Sequence, residues 1–272
     1  MTKHIQSRSG SKCGYVTVSV ANIHSKPSFS SEVVTQALLG EQLEILDRNG
    51  SWVEISQWDG YQGWINHSAL TERKTPIEEF RTVLDLFNSV YEEADSSSLI
   101  LRDVVFGSRL GFLRQKDRWS QVVLPDGVVG WINTSWEDKQ DEDIRGQIVK
   151  TARKFLGIQY LWGGKSPKGF DCSGFVQTVM GSVGIELPRD AYQQESDENL
   201  VESTLSAAEP GDLIFFKTGA NRTDHVAISL GKKGIIHSSG FVKIESLDKE
   251  SEDYNRRLGE HISTVKSIRN FC

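Results

Sequence analysis

Cysteine is scarce in this chain. Its 272 residues hold three, Cys13, Cys172 and Cys272, an odd number without framework spacing. That argues against a disulfide scaffold and suits a reducing compartment. Neither a C-x-x-C nor an H-x-x-x-H pair occurs, so the spacing of a structural metal site is missing. No apolar run approaches the roughly 18 residues that span a bilayer, and no membrane partner is expected. Positive charge is not in excess either. The 31 Lys and Arg face 37 Asp and Glu, a net charge of −6, which argues against nucleic acid as a partner. The opening MTKHIQSRSGSKCGYVTVSV has a basic start but no apolar stretch before a small-residue cleavage site. A cytoplasmic location is therefore expected, the alternative being a secreted or periplasmic protein whose signal has been removed.

What remains is an ordinary globular composition, 38% hydrophobic and 25% charged, long enough for two or three domains. The first half contains a repeat. SWVEISQWDGYQGWINHS (51–68) returns as RWSQVVLPDGVVGWINTS (118–135) at an offset of 67 residues, and 13 of 39 positions from Ser30 to Ser68 agree. Each copy alternates with period two, as in Gln42-Leu43-Glu44-Ile45-Leu46, and carries a turn signal, Asp59-Gly60 or Asp126-Gly127. About 60 residues of short strands and tight turns suggest a small barrel. The paired tryptophans, Trp52/Trp119 and Trp64/Trp131, are expected in the barrel cores. The W-V and D-G-x-x-G-W-I pattern resembles the bacterial SH3-type domains found beside cell-wall enzymes.

The expected boundaries are a first barrel at 13–70, a linker at 71–78, a second barrel at 79–136 and a third domain at 141–272. Thr75, Pro76 and Glu78 could form a capping box, so a short helix is expected in the linker. The acidic run at 137–143 is expected to be a solvated boundary. Beyond it a helix is expected over 143–157, and another after Cys172 burying Phe175, Val176, Val179 and Met180. DLIFF (212–216), HVAISL (225–230), GIIHSS (234–239) and FVKIE (241–245) then read as strands. Helices followed by antiparallel strands make an α+β domain.

The stretch GFDCSGFVQTVM (169–180) sets Cys172 where a loop becomes a helix. An ordinary thiol is only a few per cent thiolate at neutral pH, so a reactive one needs help. The helix dipole would give some. A histidine would give more, and of the six only His225 and His237 lie in apolar strands of the same domain. The parity of the turn around GKKG (231–234) decides whether they meet. If Leu230 faces Gly234, then His237 faces Ala227 and the two histidines are diagonal neighbours on one face. An even-numbered loop puts them on opposite faces. Alone, each of these three residues is more often structural than functional.

F-D-C-S-G at a helix start, then P-G-D-L-I-F-F, D-H-V-A-I and I-I-H-S in that order, resemble the NlpC-type papain-like cysteine peptidases, which hydrolyse cell-wall peptides. The resemblance implies an α+β papain-like domain behind two small all-β SH3-like barrels, with Cys172 as nucleophile, His225 as base and His237 as its orienter. No cofactor or metal is required, and a monomer is expected. In members that carry SH3-type domains, the acid and serine flanking the cysteine bind the free amino group of an N-terminal L-alanine, a role that falls on Asp171 and Ser173. An acid beside a nucleophilic thiol would otherwise oppose its ionisation. Tyr160 matches a tyrosine set against the substrate near the nucleophile. The resemblance thus implies cleavage of the γ-D-glutamyl–L-diamino acid bond in wall peptides with a free L-alanine.

The repeat adds two candidates, because Glu32 becomes Leu99 and Tyr61 becomes Val128 in the second copy. Glu32 and Tyr61 are expected to recognise the amine end of the peptide. The segment L-P-R-D-A departs from the pattern at Ala191, where relatives often carry a hydroxyl. Three other readings stay open: a secreted hydrolase of the same chemistry acting on intact wall, a wall-peptide-binding module without catalysis, and a zinc site built from Cys172, His225 and His237.

Overall fold

The protein was analysed as a computed structural model, which describes residues 12–73, 75–136, 143–219 and 221–271. The acidic boundary, His4 and Cys272 fall wholly or largely outside these residues. Two compact units divide the chain, Met1–Lys139 and Gln140–Cys272.

The amino-terminal unit holds two antiparallel sheets. The first comprises β1 (Cys13–Val16), β2 (Val20–His24), β3 (Val33–Leu38), β4 (Gln42–Asn49), β5 (Trp52–Ser56), β6 (Gln62–Asn66) and β7 (Leu70–Thr71), in the order β3-β2-β6-β5-β4-β1-β7. The second comprises β8 (Phe80–Thr82), β9 (Phe87–Tyr91), β10 (Ile100–Val105), β11 (Arg109–Lys116), β12 (Trp119–Val123) and β13 (Val129–Ile132), in the order β10-β9-β13-β12-β11-β8. Shifted by the repeat offset, the second order reproduces the first without its last strand.

The shared turn explains part of the shared sequence. Gly60 sits at φ +80° and Gly127 at +89°, a region that favours glycine. Asp59 Oδ1 accepts from the N–H of Tyr61, and Asp126 Oδ1 from that of Val128. The two copies are joined by a backbone bond from Arg109 to Leu39.

Two expectations fail here. Trp52 and Trp119 are buried, at 7% and 6% exposure, but Trp64 and Trp131 are only half-buried. With period two, Gly63 and Ile65 face inward and turn Trp64 to the outer side, and the same holds for Trp131 between Gly130 and Ile132. The linker also forms no helix over 75–79. The Thr75 hydroxyl, needed for a cap, donates instead to the carbonyl of Pro125.

The carboxy-terminal unit starts with α1 (Ile144–Lys154), capped by the Asp143 carboxylate on the N–H of Gly146. A short hairpin, β14 (Lys165–Ser166) and β15 (Gly169–Phe170), leads into α2 (Cys172–Gly181). Then come α3 (Ala191–Glu195), β16 (Val201–Ser203), β17 (Leu213–Phe216), β18 (His225–Gly231), β19 (Gly234–Ser239), β20 (Phe241–Ser246), α4 (Arg256–Gly259) and β21 (Ile262–Ser267). The six strands form an antiparallel sheet in the order β16-β21-β17-β18-β19-β20. Phe175, Val176, Val179 and Met180 of α2 are fully buried, as expected. Phe155, Phe170 and Phe175 pack edge to face with centroids 4.9 to 6.3 Å apart. This helix–sheet packing fixes where the first turn of α2 points. The loop Tyr160–Gly164 wraps that turn so closely that a Cβ on Gly174 would lie 2.1 Å from the carbonyl oxygen of Gly164.

Candidate active site

Asp171 is the N-cap of α2, its Oδ1 accepting from the N–H of Gly174 at 2.7 Å. Cys172 is therefore the first helical residue, and its own N–H belongs to the group that no intrahelical carbonyl can use. Its Sγ lies 3.9 Å from the carbonyl oxygen of Asp224 and takes a hydrogen bond from the N–H of Val226. The sulfur is thus held by the two residues that flank His225.

The histidine register is reached by an unexpected route. Gly231 pairs with Gly234, and Lys232 and Lys233 turn between them with φ of 50° and 62°, a two-residue loop with both central residues left-handed. Such an even loop, continued regularly, would separate the histidines. Instead the register slips between Ser229 and Gly231, leaving Leu230 as a bulge, and Ile228 then pairs with Ile236. One pair further on, Ala227 faces His237. The two histidines share one face, and Nε2 of His225 lies 2.8 Å from Nδ1 of His237.

Burial pushes the Cys172 thiol up to about 12. The charge of Asp171 adds to this, while the Val226 N–H, Arg189 and the Ser173 N–H work against it. Burial and the neighbouring His237 bring His225 down to about 3. Both shifts favour the neutral forms, a thiol and an imidazole. Tyr160 is half-buried, and its phenol is raised above the ordinary tyrosine value by burial and by Cys172 and Asp171, which places it beside both. Cys172, His225, His237, Asp171, Ser173 and Tyr160 thus converge on one end of α2. Glu32, exposed before β3, and Tyr61, in the turn before β6, belong to the amino-terminal unit.

Comparison with known proteins places this arrangement. Residues 157–258 match the NlpC/P60 family and residues 19–71 match the bacterial SH3 domain. The gamma-D-glutamyl-L-lysine dipeptidyl-peptidase of Bacillus subtilis is 31% identical over 256 residues, covering 83% of this chain and 79% of that protein. The enzyme of the same name from Bacillus cereus is 31% identical over 229 residues, 77% of this chain and 68% of its own. The chain belongs to the NlpC/P60 family. It is a cysteine peptidase with a papain-like catalytic domain behind an SH3-like all-β region. A crystal structure of an NlpC/P60 family protein from Bacillus cereus shares the fold, with a TM-score of 0.78 at 24% identity, over 94% of this chain and 99% of that one.

Three partners of this NlpC/P60 site were not singled out from the sequence. Arg189 is 1% exposed and grips both oxygens of Asp171 through Nη1 and Nη2, with Nη1 also 3.0 Å from Ser173 Oγ. Asp171 Oδ2 further accepts from the N–H of Gly163. Both carboxylate oxygens are therefore held in fixed positions beside Cys172. Glu245 Oε2 lies 2.7 Å from His237 Nε2, and Asn255 Nδ2 donates to the same oxygen at 2.7 Å. Glu245 lies two residues beyond Lys243, which pairs with His237 in the sheet, and nothing in the sequence singled it out. Ala191 opens α3 and is buried at 7% exposure, so the departure in L-P-R-D-A leaves a methyl group there. Both ring nitrogens of His237 are spent on His225 and Glu245, and among the described residues no three His, Cys, Asp or Glu converge as metal ligands.

Proposed function

We propose that the enzyme hydrolyses the γ-D-glutamyl–L-diamino acid bond of peptidoglycan-derived peptides that carry a free N-terminal L-alanine. Cys172 at the helix start, its sulfur against the backbone of Asp224 next to His225, and the hydrogen bond between His225 and His237 support this chemistry. The names of the two Bacillus relatives supply the bond. The thiol proton passes to His225 while Sγ adds to the D-glutamyl γ-carbonyl, and the Cys172 N–H receives the developing oxyanion. The C–N bond then breaks as the imidazolium protonates the leaving amine. Water attacks the thioester, His225 takes its proton, and the thiol and the γ-carboxyl are released.

Asp171 and Ser173, held by Arg189, place a negative edge beside Cys172 for the alanine ammonium, with Tyr160 against the peptide. An intact wall strand has no such amine, so the substrate is a released fragment and the proposed setting is cytoplasmic recycling.

Rates on L-Ala-γ-D-Glu-diaminopimelate and its lysine analogue, each free and N-acetylated, test this. Acetylation is expected to cut kcat/KM about 10- to 100-fold, the worth of one charged hydrogen bond. Glu32→Leu and Tyr61→Val install the residues the second copy already tolerates at Leu99 and Val128. Each should raise KM for the free peptide and leave the acetylated one unchanged. Equal cleavage of free and acetylated peptides would refute the amine site.

A further inference from the structure

The hydrogen-bonding around His237 has a fixed direction, and it can be followed from one backbone donor to the base. Asn255 caps α4, with its Oδ1 accepting from the N–H of Leu258 at 2.9 Å. Its Nδ2 is thereby left to face Glu245. The Glu245 carboxyl is held at about 2 by its bond from His237 against the cost of burial, with Asn255 and Lys243 assisting, so it is ionised and only accepts. Lys243 Nζ takes the other oxygen, 3.1 Å away. His237 Nε2 must then be the donor to Glu245, which in the neutral ring leaves Nδ1 as an acceptor. His225 Nε2 must donate to it, and His225 Nδ1 keeps the lone pair.

We propose that Glu245, oriented by Asn255 and Lys243, is a positioning residue that locks His237 as its Nε2–H tautomer and so makes Nδ1 of His225 the base for Cys172. The inference rests on the proposed proton transfer between Cys172 and His225. Without Glu245, His237 is free to carry its proton on Nδ1 and donate to His225. That would move the His225 proton to Nδ1 and take the lone pair away from the thiol. The Glu245 charge also favours the imidazolium that forms during attack, as does Asp224, whereas His237 and Arg257 oppose it.

The tautomers are read directly from side-chain ¹⁵N shifts of histidine-labelled protein at neutral pH, with kinetics in parallel. In the wild type His225 and His237 should both show Nε2–H with a bare Nδ1. Glu245→Ala should mix the tautomers of both rings and lower kcat about 10- to 100-fold, the usual cost of losing a partner that orients an imidazole, with KM within about twofold. In Glu245→Gln the amide oxygen can still accept from His237 and Asn255, so a single tautomer and most of kcat should return. Gln also serves if the alanine variant does not fold. A wild-type His225 protonated at Nδ1 would overturn the proposal. So would a Glu245→Ala protein with unchanged tautomers. The spectrum needs no substrate, so it decides on Glu245 even if the peptide is not cleaved.

Discussion

Cys172→Ala is expected to remove peptide hydrolysis, by about 10⁴-fold or more in kcat, while thermal unfolding stays within a few degrees of the wild type. The reason for the first lies in what surrounds the sulfur. It is held between the backbones of Asp224 and Val226, on either side of His225, at the first residue of a helix. Among the described residues the other cysteine, Cys13, lies in β1. The reason for the second is that the sulfur's partners are backbone groups, held against β17 by the Asp224 N–H on the Phe216 carbonyl and by the pairing of Val226 with Phe215. Steady-state release of the diamino acid, with a melting curve on the same sample, checks both. Residual activity within tenfold of the wild type would remove Cys172 as nucleophile.

Arg189→Met is expected to be the most destabilising single change at the site. Arg189 is 1% exposed, and its guanidinium is paired with Asp171. Methionine keeps much of the volume but leaves a buried carboxylate unpaired, and breaking one side of such a pair costs about 3–5 kcal/mol. In a unit of this size that corresponds to a fall on the order of 10–20 °C in Tm. The same substitution raises the Cys172 thiol further, because Arg189 opposes the Asp171 charge there. Asp171→Asn added to Arg189→Met should recover part of the loss, since the two changes then remove both charges. Circular-dichroism melts of the two singles and the double measure the coupling. An Arg189→Met protein within about 1 kcal/mol of the wild type would show that the pair does not stabilise the unit.

Much of this was legible in the sequence where local rules decide. The period-two runs gave the strands carrying His225 and His237, and Asp171 ahead of an apolar helix put Cys172 at a helix start. Local rules stop where a long-range bond takes the same atom. Thr75 could cap a helix, yet its hydroxyl is taken by Pro125, fifty positions away. The turn at Lys232-Lys233 predicts the wrong histidine faces until the bulge at Leu230 is known, and nothing in S-L-G-K-K-G marks that bulge. Arg189 and Asn255 reach the site through bonds set by the folded sheet and helices, so spacing along the chain does not reveal them. Trp64 and Trp131 are different, since their flanking Gly and Ile already specified an outward side chain.

The proposed function turns on which bond is cleaved and on Cys172 as its nucleophile. The measurement closest to it is mass spectrometry of the products from L-Ala-γ-D-Glu-diaminopimelate in ¹⁸O-water, wild type and Cys172→Ala side by side. The account predicts free diaminopimelate and L-Ala-D-Glu bearing one ¹⁸O in its γ-carboxyl, from the wild type alone. Free alanine with D-Glu-diaminopimelate, or the same products from the mutant, would contradict it.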